Sequence, residues 1–208
     1  MAIVAVIRRC TWAERSPEEL EYHDREWGVP VHDDRLLFEF LVLEGAQAGL
    51  SWLTVLRKRP AYRLAFDQFD PERVAAYDNT DLARLMANPN LIRNRLKLRS
   101  AITNAQAFLA VQQKYGQFND YLWDFIHGIP VCNYWLSAAE LPTRSDVSDH
   151  LSRDLKRRGF SFAGTTICYA YMQAVGMIND HTLNCYRHEE CRTIRNRTPS
   201  SARLNHSS

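Results

Sequence analysis

The 26 residues SDVSDHLSRDLKRRGFSFAGTTICYA, positions 145–170, decide the fold class. Ser145 is a helix N-cap, and Val147, Leu151 and Leu155 follow it at helical spacing. The helix reaches Arg158, and Gly159 supplies its C-terminal cap. After Phe160, Ser161, Phe162 and Ala163, Gly164 precedes a second helix that opens with Thr165 and Thr166. Backbone N–H groups at such a hairpin, with the helix dipole behind them, hold a DNA phosphate without reading sequence. Plain helix joints also contain paired glycines, so it is the adjacent Lys156, Arg157 and Arg158 that favour nucleic acid over a solvated helix face.

Outward from this hairpin, helix starts recur. Ser16-Pro17-Glu18-Glu19 has an N-cap, a first-turn proline and a capping-box glutamate. Asp33 caps a helix with Leu36, Leu37, Phe40, Leu41 and Ala48 at helical spacing, and Asp70-Pro71 and Thr80-Asp81 open two more. A long helix is expected from about Ile92 to Gln113, with Leu96, Ile102, Ala105 and Leu109 inward. No two period-2 runs are joined by a hairpin turn, so the expected fold is all-α with many short helices. One domain is expected over residues 1–191, followed by a disordered basic tail at 192–208 that lacks an apolar stripe.

Hydrophobic residues make up 46% and charged residues 24% of the 208, which is ordinary globular usage. A net charge of +2 excludes a uniformly basic DNA-coating protein. The local run Arg93, Arg95, Lys97 and Arg99 remains as a candidate contact surface. The N-terminal apolar stretch is too short for a signal peptide, and no segment is long enough to cross a membrane. With five cysteines, a cytoplasmic protein with reduced thiols is expected, and nothing demands an oligomer.

Glu44 shares the helical spacing of Leu37, Phe40, Leu41 and Ala48, so it points with the apolar stripe. A buried unpaired charge is costly. Either an arginine satisfies it, or it lines a pocket. Gly45, Gln47, Gly49, Leu50, Ser51 and Trp52 follow directly, and small residues, an amide and an indole beside an acid suit a flat polar ring.

Cys10 and His23 are separated by twelve residues, and His181 and Cys185 by three, on one face if a helix runs there. Two thiolates and two imidazoles suit a tetrahedral structural zinc that ties the two ends of the chain together. A C-terminal set of His181, Cys185, His188 and Cys191 is the alternative, and no metal is the third reading. Cys132 and Cys168 lack nearby histidines and are expected in the core.

These blocks together resemble the 3-methyladenine DNA glycosylase I family, within the helix-hairpin-helix glycosylases. The resemblance runs from about Arg9 to Cys191. It rests on Cys10-Thr11-Trp12, on Tyr22 to Pro30, on Leu43 to Trp52, on Arg158 to Tyr169, and on Asn179-Asp180-His181 with Cys185. It implies zinc, one per chain, on Cys10, His23, His181 and Cys185. It further implies base contacts from Glu44, stacking by Trp52, and pocket walls from Trp12, Tyr22 and Trp27. Gln47, Gly49 and Leu50 would lie near the gap left in the duplex. The implied partners are alkylated double-stranded DNA and the freed 3-methyladenine. One departure is Glu19, where members carry a second pocket aromatic, which leaves the pocket less enclosed or retuned.

The chemistry such a site implies is base flipping followed by hydrolysis of the N-glycosidic bond, with no strand-cutting lyase step. Asp180 is either a stabiliser of the sugar cation or a cap or partner for a zinc-bound histidine, and the second reading is favoured. Lys97 as a Schiff-base nucleophile is disfavoured against a phosphate or solvent contact. The rivals are a non-catalytic zinc-containing DNA-binding module and a zinc hydrolase.

Overall fold

The computed structural model describes residues 7–195. Among them are ten α-helices: α1 (Pro17–Arg25), α2 (Asp34–Gln47), α3 (Trp52–Ala65), α4 (Pro71–Ala75), α5 (Asn79–Ala87), α6 (Arg95–Tyr115), α7 (Phe118–Asp124), α8 (Asp146–Arg157), α9 (Thr165–Ala174) and α10 (Tyr186–Arg195). Two short strands, β1 (Val131–Cys132) and β2 (Ile178–Asn179), pair in parallel. Strands of two residues are too short to show a period, so the sequence could not announce them. None of the described helices is long and apolar enough to cross a membrane.

Short polar side chains set the helix starts. Ser16, Asp33, Ser51 and Ser145 each accept an N–H from the first turn of α1, α2, α3 and α8. Glu19 does not complete a capping box. Its carboxylate takes the Ser16 hydroxyl at 3.3 Å instead of the backbone N–H. Helix α5 begins two residues earlier than expected, because Asp78 and Asp81 cap each other's backbone N–H groups. Helix α6 begins only after Asn94, which takes the N–H groups of Leu96 and Lys97. That start turns Leu96 outward at 71% exposure, and the inward face is Leu98, Ala101, Ile102, Ala105 and Phe108, with Leu109 half-buried.

Helix α2 is the axis of the molecule. Every residue from Leu37 to Ala46 is buried, and the helix packs against α3, α6, α7 and α9. A helix that is enclosed on all sides carries its charges into the interior. Glu39 meets Arg59 and Arg63, and Arg59 also holds Glu26. Helix α10 continues four residues past Cys191, where the domain was expected to end, and Arg192 pairs with Glu189 in its last turns. The rest of the expected tail, 196–208, lies outside the described residues.

The chain after α1 is pinned to the end of α9. Gly28 N–H donates to the Gln173 carbonyl and Val31 N–H to the Val175 carbonyl, each at 3.0 Å. Gly176, at φ +70°, makes this approach possible, because a Cβ there would lie 2.2 Å from the Val29 carbonyl carbon. A Gly176→Ala substitution therefore meets backbone that cannot move aside. It should cost about 3 kcal/mol or more, read as a lowered urea midpoint with unchanged slope.

Candidate active site and metal centre

A cavity of about 410 Å³ opens where α1, α2, α3 and α9 converge. Trp12, Tyr22, Trp27, Glu44 and Trp52 all line it, as does Gln47. Glu19, Arg15, Ser51, Leu141, Ala170 and Gln173 complete the wall. Trp12 and Trp27 meet edge to face with centroids 5.1 Å apart, and Tyr22 and Trp52 lie 5.3 Å apart. Leu141, Ala170 and Gln173 come from segments far away in sequence, and no local motif marked them.

Glu44 is 3% exposed, and its Oε2 is buried without a hydrogen-bond partner. The arginine reading fails here: Glu44 enters no ion pair among the described residues, and the buried Arg59 is taken by Glu26 and Glu39. Burial pushes the Glu44 carboxyl up to about 8. Trp52 Nε1 is also buried and unpartnered. Folded chains rarely leave buried polar atoms unpaired. An orphan acceptor and an orphan donor in one aromatic cavity fit a flat ligand with both kinds of polar edge.

Lys97 is half-buried and does not line the cavity. Its Nζ donates to the carbonyls of Ala46 and Ala48, at 2.8 and 2.5 Å, and so caps the C-terminal end of α2 just beyond Glu44. The turn from α2 to α3 follows, with Gly49 at φ +77° and Leu50 41% exposed.

The joint between α8 and α9 packs directly behind Glu44. A Cβ at Gly45 would come 3.3 Å from Phe162 Cβ, so a glycine lets the joint close on α2. Gly159 is exposed at φ +94°, Gly164 is the N-cap of α9, and Thr166 is exposed. Asn104 holds the joint through both backbone groups of Ser161, at 2.8 and 3.0 Å. Thr165 turns inward, donating its hydroxyl to Asp149. Of the adjacent basic run, Arg157 and Arg158 both pair with Asp154, Arg158 half-buried and Arg157 exposed, and Lys156 is exposed. Sequence reading credited that run with more free charge than the fold leaves it. In the other run, Arg93 and Arg95 are exposed and Arg99 bonds Asn79.

The second constellation lies beyond Trp27. Cys10, His23, His181 and Cys185 are all buried, with their ligand atoms within 4.8 Å of one another, and could hold a metal ion. Cys185 Sγ lies 3.4 Å from His23 Nε2 and 3.6 Å from His181 Nδ1, and Cys10 Sγ lies 3.6 Å from His181 Nδ1. The opposite ring nitrogens are held. His23 Nδ1 faces Asp24 at 2.8 Å and His181 Nε2 faces the Trp27 carbonyl at 3.0 Å, while Arg9 grips Asp24. The two thiols are linked. Contact with Cys10 and then the histidines draw Cys185 well below the usual thiol range, while contact with Cys185 and burial hold Cys10 above it. Such a pair shares one proton, and a divalent cation is what lets both thiols ionise together.

Three sequence expectations change here. Residues 181–185 are not helical: Cys185 N–H closes a turn onto the Thr182 carbonyl, and α10 starts only at Tyr186. His188 faces Cys132 at 3.8 Å and the Asn133 carbonyl at 2.8 Å, so Cys132 does have a histidine neighbour and the C-terminal metal set does not assemble. Asp180 is a partner of neither ring. It takes donors from Asn133, Trp135, Tyr169 and Gln173.

The methyladenine glycosylase family profile matches residues 12–188. DNA-3-methyladenine glycosylase 1 of Escherichia coli is 48% identical over 179 residues, which is 86% of this chain and 96% of that protein. The DNA-3-methyladenine glycosylase of Haemophilus influenzae is 45% identical over 177 residues, 85% and 96% of the two chains. Among solved structures, a 3-methyladenine DNA glycosylase I crystal structure superposes with a TM-score of 0.83 at 49% identity, covering 86% of this chain and 98% of that one. The Staphylococcus aureus 3-methyladenine DNA glycosylase I, described for its recognition of 3-methyladenine, has a TM-score of 0.83 at 39% identity, over 86% and 95% of the chains. A profile matched over residues 12–188, with relatives covered almost end to end, means that the chain belongs to the methyladenine glycosylase family.

Proposed function

We propose that this protein is a monofunctional DNA glycosylase that hydrolyses the N-glycosidic bond of 3-methyladenine in alkylated double-stranded DNA. The observation that carries the reading is the unpartnered Glu44 carboxyl in an aromatic cavity. The target base is flipped out of the duplex and enters the cavity. Methylation leaves its ring cationic, and the faces of Trp52, Tyr22, Trp12 and Trp27 attract a cation by roughly 0.5–2 kcal/mol each. The cationic ring draws the proton-holding Glu44 carboxyl toward its ionised form, which accepts hydrogen bonds from the base and matches its charge. Undamaged adenine is neutral and gains less. When the bond breaks, its electron pair moves onto the ring and cancels the positive charge, so neutral 3-methyladenine leaves without a general acid. Water then forms the new bond to the sugar carbon and releases a proton.

Gln47, Gly49 and Leu50 lie on or beside the cavity rim and are suited to filling the gap left in the duplex. Gly159, Gly164, Thr165 and Thr166 would hold a backbone phosphate at the start of α9, through N–H groups in the case of Thr165, whose hydroxyl is engaged. Cys10, His23, His181 and Cys185 would bind one structural zinc. Zinc bond lengths at a tetrahedral angle put sulfur and nitrogen about 3.5 Å apart, close to the 3.4–3.6 Å separations of this cluster. Four protein ligands leave no position for a catalytic water, which separates this reading from a zinc hydrolase. The protein would act on DNA in the cytoplasm, where its thiols stay reduced.

The test is incubation with methylated duplex DNA and chromatography of the freed bases. Release of 3-methyladenine is expected, with strands cut only after heating in alkali. Binding without base release would leave the non-catalytic module in its place.

A further inference from the structure

The α9 wall of the cavity carries a polar group whose orientation is dictated from outside the cavity. Asp180 is 1% exposed, and its two oxygens take four donors. Asn133 Nδ2 and Trp135 Nε1 donate to Oδ1, and the Tyr169 hydroxyl and Gln173 Nε2 donate to Oδ2, each at 2.7 Å. A carboxylate only accepts, so the Gln173 amide must turn its nitrogen toward Asp180. Its oxygen is then the other end of the amide, and Gln173 lines the same cavity as Glu44. The main chain of Gln173 is fixed as well, by the Gly28 N–H on its carbonyl.

We propose that Gln173, held by Asp180, is a specificity-determining residue whose fixed side-chain oxygen accepts from the 6-amino group of the flipped purine and rejects 6-oxo purines. This rests on the glycosylase reading above and deepens it. An amine at position 6 donates to the amide oxygen, whereas a 6-oxo group would set two acceptors against each other at the cavity wall. Rotating the amide to relieve that clash would point its oxygen at Asp180 instead. Glu44 cannot enforce the same choice alone. With its carboxyl pushed up to about 8, it takes a proton readily and can then donate to an oxo group as well as accept from an amine. A reader of fixed polarity has to be a group that neither titrates nor turns, and the Gln173 amide meets both conditions.

The experiment compares single-turnover release of 3-methyladenine and 3-methylguanine, both cationic in DNA and both methylated at the same position. Wild-type protein should favour the adenine lesion. Gln173→Met keeps the length of the side chain, removes the amide, and leaves Asp180 three donors. It should lower the ratio of the two rates at least tenfold. Asp180→Asn lets the Gln173 amide turn and should lower the ratio in the same direction. Damage to the fold would slow both substrates together and leave the ratio alone. A ratio within twofold of wild type in Gln173→Met overturns the assignment, and the same result in Asp180→Asn overturns the holding role. Failure of the wild-type protein to release 3-methyladenine would instead overturn the glycosylase reading.

Discussion

Glu44→Gln should slow release of 3-methyladenine by about 10²–10³-fold while making the folded protein more stable above neutral pH. The rate loss follows from removing the acidic group that faces the base; loss of a single pre-placed polar group costs roughly 3–4 kcal/mol of transition-state stabilisation in other enzymes. The glutamine keeps the shape and one acceptor, so the loss is electrostatic and the cavity is not distorted. The gain in stability has the same origin. The Glu44 carboxyl titrates near pH 8 in the folded chain, against an ordinary value of 4.5. Between these pH values the folded chain holds a proton that the unfolded chain has released. Wild-type stability therefore falls as pH rises from about 4.5 toward 8 and levels off beyond. Glutamine has no proton to lose and escapes that decline. Melting curves should show little difference near pH 4.5. Near pH 8.5 the variant should lead by about 2 kcal/mol, or roughly 4–8 °C. Wild-type rates in the variant, or a stability difference that ignores pH, would remove Glu44 from the role given to it here.

Cys10→Ser should lose the metal and much of the stability of the fold, yet leave the chemistry intact in whatever fraction stays folded. The cluster joins residue 10 to residue 185 and closes almost the whole chain into one loop. Closing a loop of that length restrains the unfolded chain by roughly 5 kcal/mol in the chain-entropy view. At 2–4 °C per kcal/mol this is a fall of roughly 10–20 °C in Tm. A strong chelator should reproduce the shift in wild-type protein. The metal should be zinc at one per chain by elemental analysis, absent from the variant. Full zinc in Cys10→Ser would place the site elsewhere. Base release that vanished on chelation while the fold persisted would mean that the metal takes part in the chemistry.

Helix α1 serves both constellations from neighbouring positions. It presents Glu19 and Tyr22 to the cavity, and His23, next to Tyr22, to the Cys/His cluster. Trp27 serves both sites, lining the cavity with its side chain and holding His181 with its carbonyl. Glu44 itself is held by a helix enclosed on every side.

What the sequence determined by itself was local. Ser16, Asp33, Asp70 and Ser145 announced their helices because a short polar side chain satisfies N–H groups two or three residues away. Glu44 stood out because its spacing placed a charge among apolar residues on one helix. Ordered blocks such as Tyr22 to Pro30 and Leu43 to Trp52 carried the family. Its errors were contests between equally local signals. Asp78 won over Thr80, and Asn94 set the register that turned Leu96 outward. Tertiary structure alone decided who meets whom. It gave Arg59 to Glu39 and left Glu44 unpaired, spent Lys97 on the end of α2, took Arg157 and Arg158 for Asp154, and brought Gln173 to the cavity wall with Asp180 behind it. The reason is physical: capping and periodicity act over a few residues, whereas the partner of a buried charge or amide is chosen by the packing of segments far apart in the chain.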